Sequence, residues 1–251
     1  MLGWLTGAAL LGGAGAYSYA AIAPQSQLFG ASFARGADPR QLALTYDDGP
    51  NDSCTQSLLD VLSKYGVKAT FFLIGRHVRS RPDIARQIAE AGHAIGNHTY
   101  SHPNLIFTSL RKLRRELEIC ERVLTESIGE HARLFRPPFG AKRPAVMRTI
   151  HSMGFKPIKW SVTCYDWKPT TADRVEQHAV RQIRGGDLIL MHDGDHNHMG
   201  ADRSHTVEAT DRLIRRYHDQ GYEFVTIPEM MKGKEEQDRG KDAAPGAATQ
   251  V

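Results

Sequence analysis

The chain has 251 residues, 41% hydrophobic and 24% charged, enough for one large domain or two small ones with a full core. The formal net charge is only +4. Basic residues are mixed with acidic ones, as where Arg111, Lys112, Arg114 and Arg115 precede Glu116, Glu118 and Glu121, so nucleic acid is not expected as a partner.

Residues 1–34 contain no Asp, Glu, Lys, Arg or His. Met1 to Ala23 is apolar and rich in Gly and Ala, long enough for a bilayer span and also suited to an export signal. The segment is expected to bring the chain to a membrane or to carry it to the cell envelope. Arg35 and Arg40, the first basic residues, follow the apolar run, which weakly favours a cytoplasm-facing body. A folded body is expected over 35–231. The charged, then Ala/Gly/Pro-rich stretch 232–251 reads as a disordered tail.

Within the body, strand-like and helix-like segments alternate. Leu42-Ala43-Leu44 reads as a strand. A helix carrying Leu58, Leu59, Val61 and Leu62 ends at Gly66, and Lys68 to Ile74 is a buried-strand run. Next come helix Pro82 to Ala91, strand His93 to Asn97, helix Ser109 to Ser127, the short apolar Leu134-Phe135 and helix Pro144 to Met153. Strand Lys156 to Val162, helix Thr171 to Ile183, strand Asp187 to Met191, helix Arg203 to Gln220 and strand Tyr222 to Ile227 complete the order. About seven strand–helix units in about 200 residues imply a parallel sheet closing toward a barrel, where catalytic groups collect at the C-terminal ends of strands. Cys54, Cys120 and Cys164 are widely spaced and form no CxxC, so they read as small buried hydrophobes.

Polar clusters fall at those strand ends. Thr45-Tyr46-Asp47-Asp48-Gly49-Pro50 holds two adjacent carboxylates, which repel each other unless a cation is near. Strand alternation aims them in different directions, suggesting one metal ligand and one base, although Asp-Asp-Gly is also ordinary turn chemistry. His98-Thr99-Tyr100-Ser101-His102 spaces two imidazoles by four, which on a helical turn places them on one face. With Asp48 they would form a divalent-metal site; the bland alternative is two unrelated surface histidines. Arg136-Pro137-Pro138-Phe139-Gly140 offers an Arg fork for Asp47, or is simply a rigid turn. Asp166, in Tyr165-Asp166-Trp167, is a candidate to orient His192 at the end of Leu188-Ile189-Leu190-Met191 and raise its pKa, as suits a general acid.

The order TYDDGP, HTYSH, RPPFG, DW, LMH resembles the polysaccharide deacetylases of carbohydrate esterase family four, over roughly residues 40–230. The resemblance implies a distorted, incomplete (β/α) barrel of seven strands. It also implies a hydrolase that removes acetyl groups from a glycan, peptidoglycan or chitooligosaccharide, with one divalent metal ion. Zinc is the first expectation, with cobalt, nickel or manganese accepted by the same donors. By the same resemblance Asp47 is the base, Arg136 its holder, His192 the general acid and Asp166 its partner. Asp48, His98 and His102 are the metal ligands; the Phe139 N–H is an oxyanion donor, and Trp167 and Leu190 wall the acetyl pocket. Two features depart from the family pattern. Cys54 lies just past the first motif, and the His-rich loop Asp195-His196-Asn197-His198 follows His192; the loop reads as solvated, with an accessory metal site as the lesser alternative. Competing functions on the same fold are hydrolysis of a small linear or cyclic amide, esterase action on acetylated xylan, and glycan binding without catalysis.

Overall fold

The strand expected at Leu42-Ala43-Leu44 is β1 (Gln41–Asp47), and from Leu42 onward every residue of it is buried. A strand apolar on both faces belongs in the middle of a parallel sheet with cover on each side. The structure, a computed structural model, describes Tyr19, Ala21, Ala23 and residues 25–242. The rest of the apolar run Met1 to Ala23, and the chain beyond 242, lie outside the described residues. Among the described residues no helix is long and apolar enough to cross a membrane.

The other strands are β2 (Thr70–Leu73), β3 (Ala94–Asn97), β4 (Leu134–Phe135), β5 (Lys156–Pro157), β6 (Val162–Thr163), β7 (Asp187–His192) and β8 (Glu223–Phe224). Seven of them run in the order β5-β4-β3-β2-β1-β7-β6, every neighbour parallel. β8 pairs in parallel with the start of β1. The order ends at β5 and β6 without pairing them, so the expected barrel is incomplete, a curled half-barrel with helices around it.

The helices are α1 (Thr55–Lys64), α2 (Gly75–Ser80), α3 (Pro82–Glu90), α4 (Leu110–Ile128), α5 (Pro144–Ser152), α6 (Ala172–Gln182), α7 (Ser204–Asp219) and α8 (Ile227–Asp242). Their starts follow local chemistry. Pro opens α3 and α5, where a missing N–H costs nothing. Ser109 and Thr171 cap α4 and α6 by accepting from Lys112 N and Arg174 N.

Period-two alternation splits the sheet's side chains between two cores. Leu42, Leu44 and Tyr46 join Phe71, Leu73, Ile189 and Met191 beneath Leu58 and Leu62 of α1 and Leu213 and Ile214 of α7. Each fully buried Leu here contributes about 1.5–3 kcal/mol. Ala43, Phe72, Leu188 and Leu190 face the other way, with Ile158, Trp160 and Met230. Register carries the second face upward: Ala43 pairs with Leu188, Thr45 with Leu190, and Asp47 with His192. Asp47 and His192 therefore stand side by side at the C-terminal rim of the sheet.

Four expectations differ from the structure. Helix α2 was not anticipated, because its six residues Gly75–Ser80 are too few to show a period. The strand expected from Lys156 to Val162 is two strands, β5 and β6, separated by the segment that leads from one open edge to the other. The strand expected from Tyr222 to Ile227 is only β8, since α8 begins at Ile227. The tail expected to be disordered from Lys232 is helical as far as Asp242, because α8 is anchored at its start by buried Ile227 and Met230.

Candidate active site

Among the described residues, five other than glycine hold a left-handed backbone: Asp48 (φ 74°), Thr99 (φ 68°), His102 (φ 57°), Phe139 (φ 56°) and Tyr165 (φ 56°). All five lie in the polar clusters singled out from the sequence. Such conformations cost on the order of 1–3 kcal/mol each and persist where surrounding structure fixes them. Around Asp48 that fixing requires glycine. A Cβ on Gly49 would meet the Asp193 carboxylate at 2.3 Å, and one on Gly194 would meet the Asp48 carbonyl at 2.4 Å.

The histidine pair comes together differently from the helical turn expected. His98 to His102 is a loop leaving β3, and the left-handed steps at Thr99 and His102 fold it back. The first amides of α2 hold it, Gly75 N donating to Thr99 O and Arg76 N to Tyr100 O, at 2.9 and 3.0 Å. Nε2 of His102 and of His98 then lie 3.2 and 3.5 Å from Asp48 Oδ1. Among the described residues, these three are the group whose donor atoms gather within 4.8 Å of one another.

Their chemistry fits a divalent ion. Asp48 Oδ1 is buried without a hydrogen-bond partner. His98 Nδ1 bonds the Arg136 carbonyl at 2.8 Å, and a carbonyl only accepts, so Nδ1 carries the proton and Nε2 presents a lone pair. Burial, then the neighbouring His98, pulls the His102 imidazole down to about 2, leaving it neutral. Burial opposes ionisation of Asp48, yet the adjoining imidazoles keep it well below the usual carboxylate range. A bare carboxylate and two imidazole nitrogens converging on one point form a zinc-type donor set with room for further ligands.

Strand alternation was expected to part the two carboxylates, but β1 ends at Asp47 and the left-handed step at Asp48 breaks the alternation, so both carboxylates approach His98 Nε2. Arg136 Nη1 donates to Asp47 Oδ1 at 2.7 Å and to Thr45 Oγ1 at 2.8 Å, and Nη2 donates to the Lys159 carbonyl at 3.1 Å. The guanidinium is fully buried, 4.1 Å above the Phe72 ring. Asp47 Oδ2 is left on the side of His98 Nε2, 3.8 Å away.

Across the cavity, Asp166 grips His192 twice: Oδ1 is 2.9 Å from Nδ1, and Oδ2 accepts from the His192 N–H at 2.6 Å. Burial opposes a charged imidazole, but the Asp166 carboxylate prevails and lifts His192 to about 9, with Asp48 and Asp47 adding to it. Burial likewise opposes the Asp166 charge, and His192 holds it below the usual range.

A cavity of about 290 Å³ joins these groups; Asp48, His98, His102, Phe139, Trp167, Leu190 and His192 line it. The ten residues expected from the sequence are thus brought together, seven on the cavity wall and Asp47, Arg136 and Asp166 behind it. Sequence reading missed several supports. Thr206 donates to Asp166 Oδ2 at 3.0 Å, while Arg203 Nη1 and His205 Nε2 bond its carbonyl. Lys159 is buried and its amine donates to the Gly140 carbonyl beside Phe139. His77 Nδ1 holds the Asp48 carbonyl at 3.0 Å. These residues lie far in sequence from the groups they support, and nothing local marks them. His196, expected on a solvated loop, stacks on His102 at 4.5 Å and lines the cavity. The cysteines are free and buried as expected, and Cys54 accepts from Arg203 N.

A family model described as polysaccharide deacetylase matches residues 34–158. A peptidoglycan-N-acetylglucosamine deacetylase of Bacillus cereus is 35% identical over 196 residues, covering 78% of this chain and 70% of its own. The chain belongs to the polysaccharide deacetylase family. Another member, a chitooligosaccharide deacetylase of Rhizobium leguminosarum bv. trifolii, is 31% identical over 200 residues, covering 77% of this chain and 93% of its own. Both relatives are named as deacetylases, consistent with a hydrolase acting on C–N bonds. A crystal structure of a peptidoglycan N-acetylglucosamine deacetylase with 4-naphthalen-1-yl-N-oxidanyl-benzamide superposes with a TM-score of 0.75 at 34% identity, covering 79% of this chain and 91% of that one. A family pseudoenzyme from Bacillus anthracis superposes nearly as well, with a TM-score of 0.74 at 31% identity over 81% of this chain and 69% of that one. The deacetylase fold by itself therefore does not guarantee catalysis, and the side chains in the cavity must carry the case.

Proposed function

We propose that this family member is a metal-dependent deacetylase that releases acetate from the N-acetyl groups of a glycan, either peptidoglycan or a chitooligosaccharide. One observation carries the reading: an Asp–His–His donor set opens into a cavity flanked by a carboxylate held by arginine and an imidazole held by aspartate.

An amide is a weak electrophile and its amine a poor leaving group. Asp48, His98 and His102 would hold a divalent ion, zinc first among those the donors accept, which would supply Lewis-acid polarisation of the acetyl carbonyl and acidify the attacking water. Arg136 occupies Asp47 Oδ1, which leaves Oδ2 to take the proton from that water. The Phe139 N–H, on a left-handed turn at the cavity edge, donates to the oxyanion of the tetrahedral species, an effect worth several kcal/mol. Asp166 fixes the proton on His192 Nδ1, so Nε2–H faces the cavity and protonates the departing amine. Trp167 and Leu190 enclose the acetyl methyl. The products are acetate and a free amino sugar.

The related peptidoglycan deacetylases fit action at the cell envelope, with the apolar N-terminal segment as export signal or membrane anchor. Acetate release measured across peptidoglycan, chitin oligomers, acetylated xylan and small cyclic amides, after metal stripping and add-back, tests the reading. Release from N-acetylated glycans only, and only with metal, supports it. Full release by stripped protein, or turnover of the small amides alone, overturns it.

A further inference from the structure

The His-rich loop after β7 brings Asp195 and His196 to the cavity wall, and the catalytic reading uses neither. Asp195 Oδ1 accepts from Asn197 N at 2.8 Å and from His198 N at 3.4 Å, closing the loop into a tight turn. Arg203 Nη2 binds Asp195 Oδ2 at 3.3 Å, and the Arg76 guanidinium of α2 donates to the His196 carbonyl. Because α2 also holds the His98–His102 loop, both loops are fixed to one support. His196 therefore stands in a set position, its ring stacked on His102 at 4.5 Å and edge-on to Phe139 at 5.3 Å.

The ring's own bonds assign its proton. The Asn197 side-chain nitrogen lies 3.2 Å from His196 Nε2. An amide nitrogen only donates, so Nε2 accepts and the ring hydrogen sits on Nδ1. Nδ1 faces the cavity side, where the nearest charged acceptor, Asp48 Oδ2, is 3.9 Å away, beyond hydrogen-bond reach. A protonated Nδ1 is not a metal ligand. It is a donor on the wall of the catalytic cavity, next to the metal-ligand set.

We propose that His196 is a substrate-binding residue, its Nδ1–H donating to a hydroxyl of the sugar that carries the acetamido group. This rests on the deacetylase reading. A sugar seated over Asp48 and His102 presents hydroxyls beside its acetamido group, and His196 is the side chain placed to meet one of them. A ground-state hydrogen bond of this kind lowers KM more than it raises kcat.

The test compares wild type, His196→Ala and His196→Phe, since Phe keeps a ring on His102 but removes the donor. For acetate release from N-acetylglucosamine oligomers, both variants are expected to raise KM about 3- to 10-fold, the effect of one lost neutral hydrogen bond, with a smaller change in kcat. Zinc retention in chelator competition is expected to match wild type. Oligomer affinity by calorimetry on the metal-loaded protein falls in parallel with the KM change. A wild-type KM in His196→Phe overturns the donor role, and zinc loss in either variant overturns it in favour of metal ligation. If no glycan is deacetylated by wild type, the deacetylase reading fails, while equal oligomer affinity in wild type and variants separately overturns the role of His196.

Discussion

Arg136 Nη1 and Asp47 Oδ1 lie 2.7 Å apart, with the arginine side chain wholly removed from solvent. The pair relieves the like-charge conflict of the Asp47-Asp48 dipeptide from one side, and the donor set of Asp48 invites a metal cation on the other. A buried pair broken by deleting one partner leaves an uncompensated charge. Arg136→Met is expected to destabilise the fold by roughly 3–5 kcal/mol in urea unfolding. Arg136→Lys keeps the charge but cannot span Thr45, Asp47 and Lys159 together, and should fold while losing most of its kcat. Wild-type kcat in Arg136→Lys would contradict this account.

The His192–Asp166 pair sets a pH dependence whose sign follows from the raised imidazole. His192 sits at about 9 without a bound ion, so it is protonated, and able to act as an acid, below that pH. An ion on Asp48 removes one of the charges that raise it. The alkaline fall in kcat should therefore come no higher than about pH 9. Asp166→Asn should move that limb toward the ordinary histidine value of about 6.5. The same shift stabilises the metal-free fold: the contribution is complete below about pH 6.5 and disappears as pH rises through about 9. Thermal melts of metal-free protein across this range, which Asp166→Asn should flatten, measure it.

Metal removal should be visible in stability as well as in turnover. Asp48 Oδ1 is buried and unpartnered beside the two imidazoles, so binding an ion satisfies an atom that nothing else does. Ion at one hundred times its Kd adds about 2.7 kcal/mol, several degrees of melting temperature. Dipicolinate should lower the melting temperature and abolish acetate release, with zinc restoring both. His98→Ala should show neither response, and a wild-type zinc shift in that variant would remove His98 from the ligand set.

Lys159 offers a separate test of the Phe139 turn. Burial, with Lys142 and Arg136 nearby, pushes its amine well below the usual lysine range, and that amine donates to the Gly140 carbonyl. Lys159→Met keeps the volume and removes both the donor and the cost of burying it, so stability should change by about 1 kcal/mol or less. The turn that presents the Phe139 N–H loses its tie, and kcat should fall about 10-fold with KM little changed, as for one weakened oxyanion donor. Acetate-release kinetics beside urea unfolding separates the two effects.

Most of the elements and the inventory of the site can be read from residue order alone. Hydrophobic periodicity is local, so helices such as α4 and α7 could be read to within a residue or two. The clusters around Asp47, His98, Arg136, Asp166 and His192 announced themselves by residue types too costly to bury idly. Their meeting was decided by tertiary structure. Asp47 and His192 are neighbours because β1 and β7 pair in parallel in one particular register, and a shift of one residue would turn His192 to the opposite face. The histidine pair converges through left-handed steps at Thr99 and His102, in a loop tied to α2 and to Glu116 of α4, not through the helical turn that their spacing suggested. Lys159, Thr206 and Arg203 carry no local signal, because a lone polar residue shows its use only when the fold supplies the partner it was buried for; the His-rich loop was visible in the sequence, but the packing of His196 on His102 was not. Local chemistry wrote the list of reacting groups, and strand register and loop anchoring chose which of them touch.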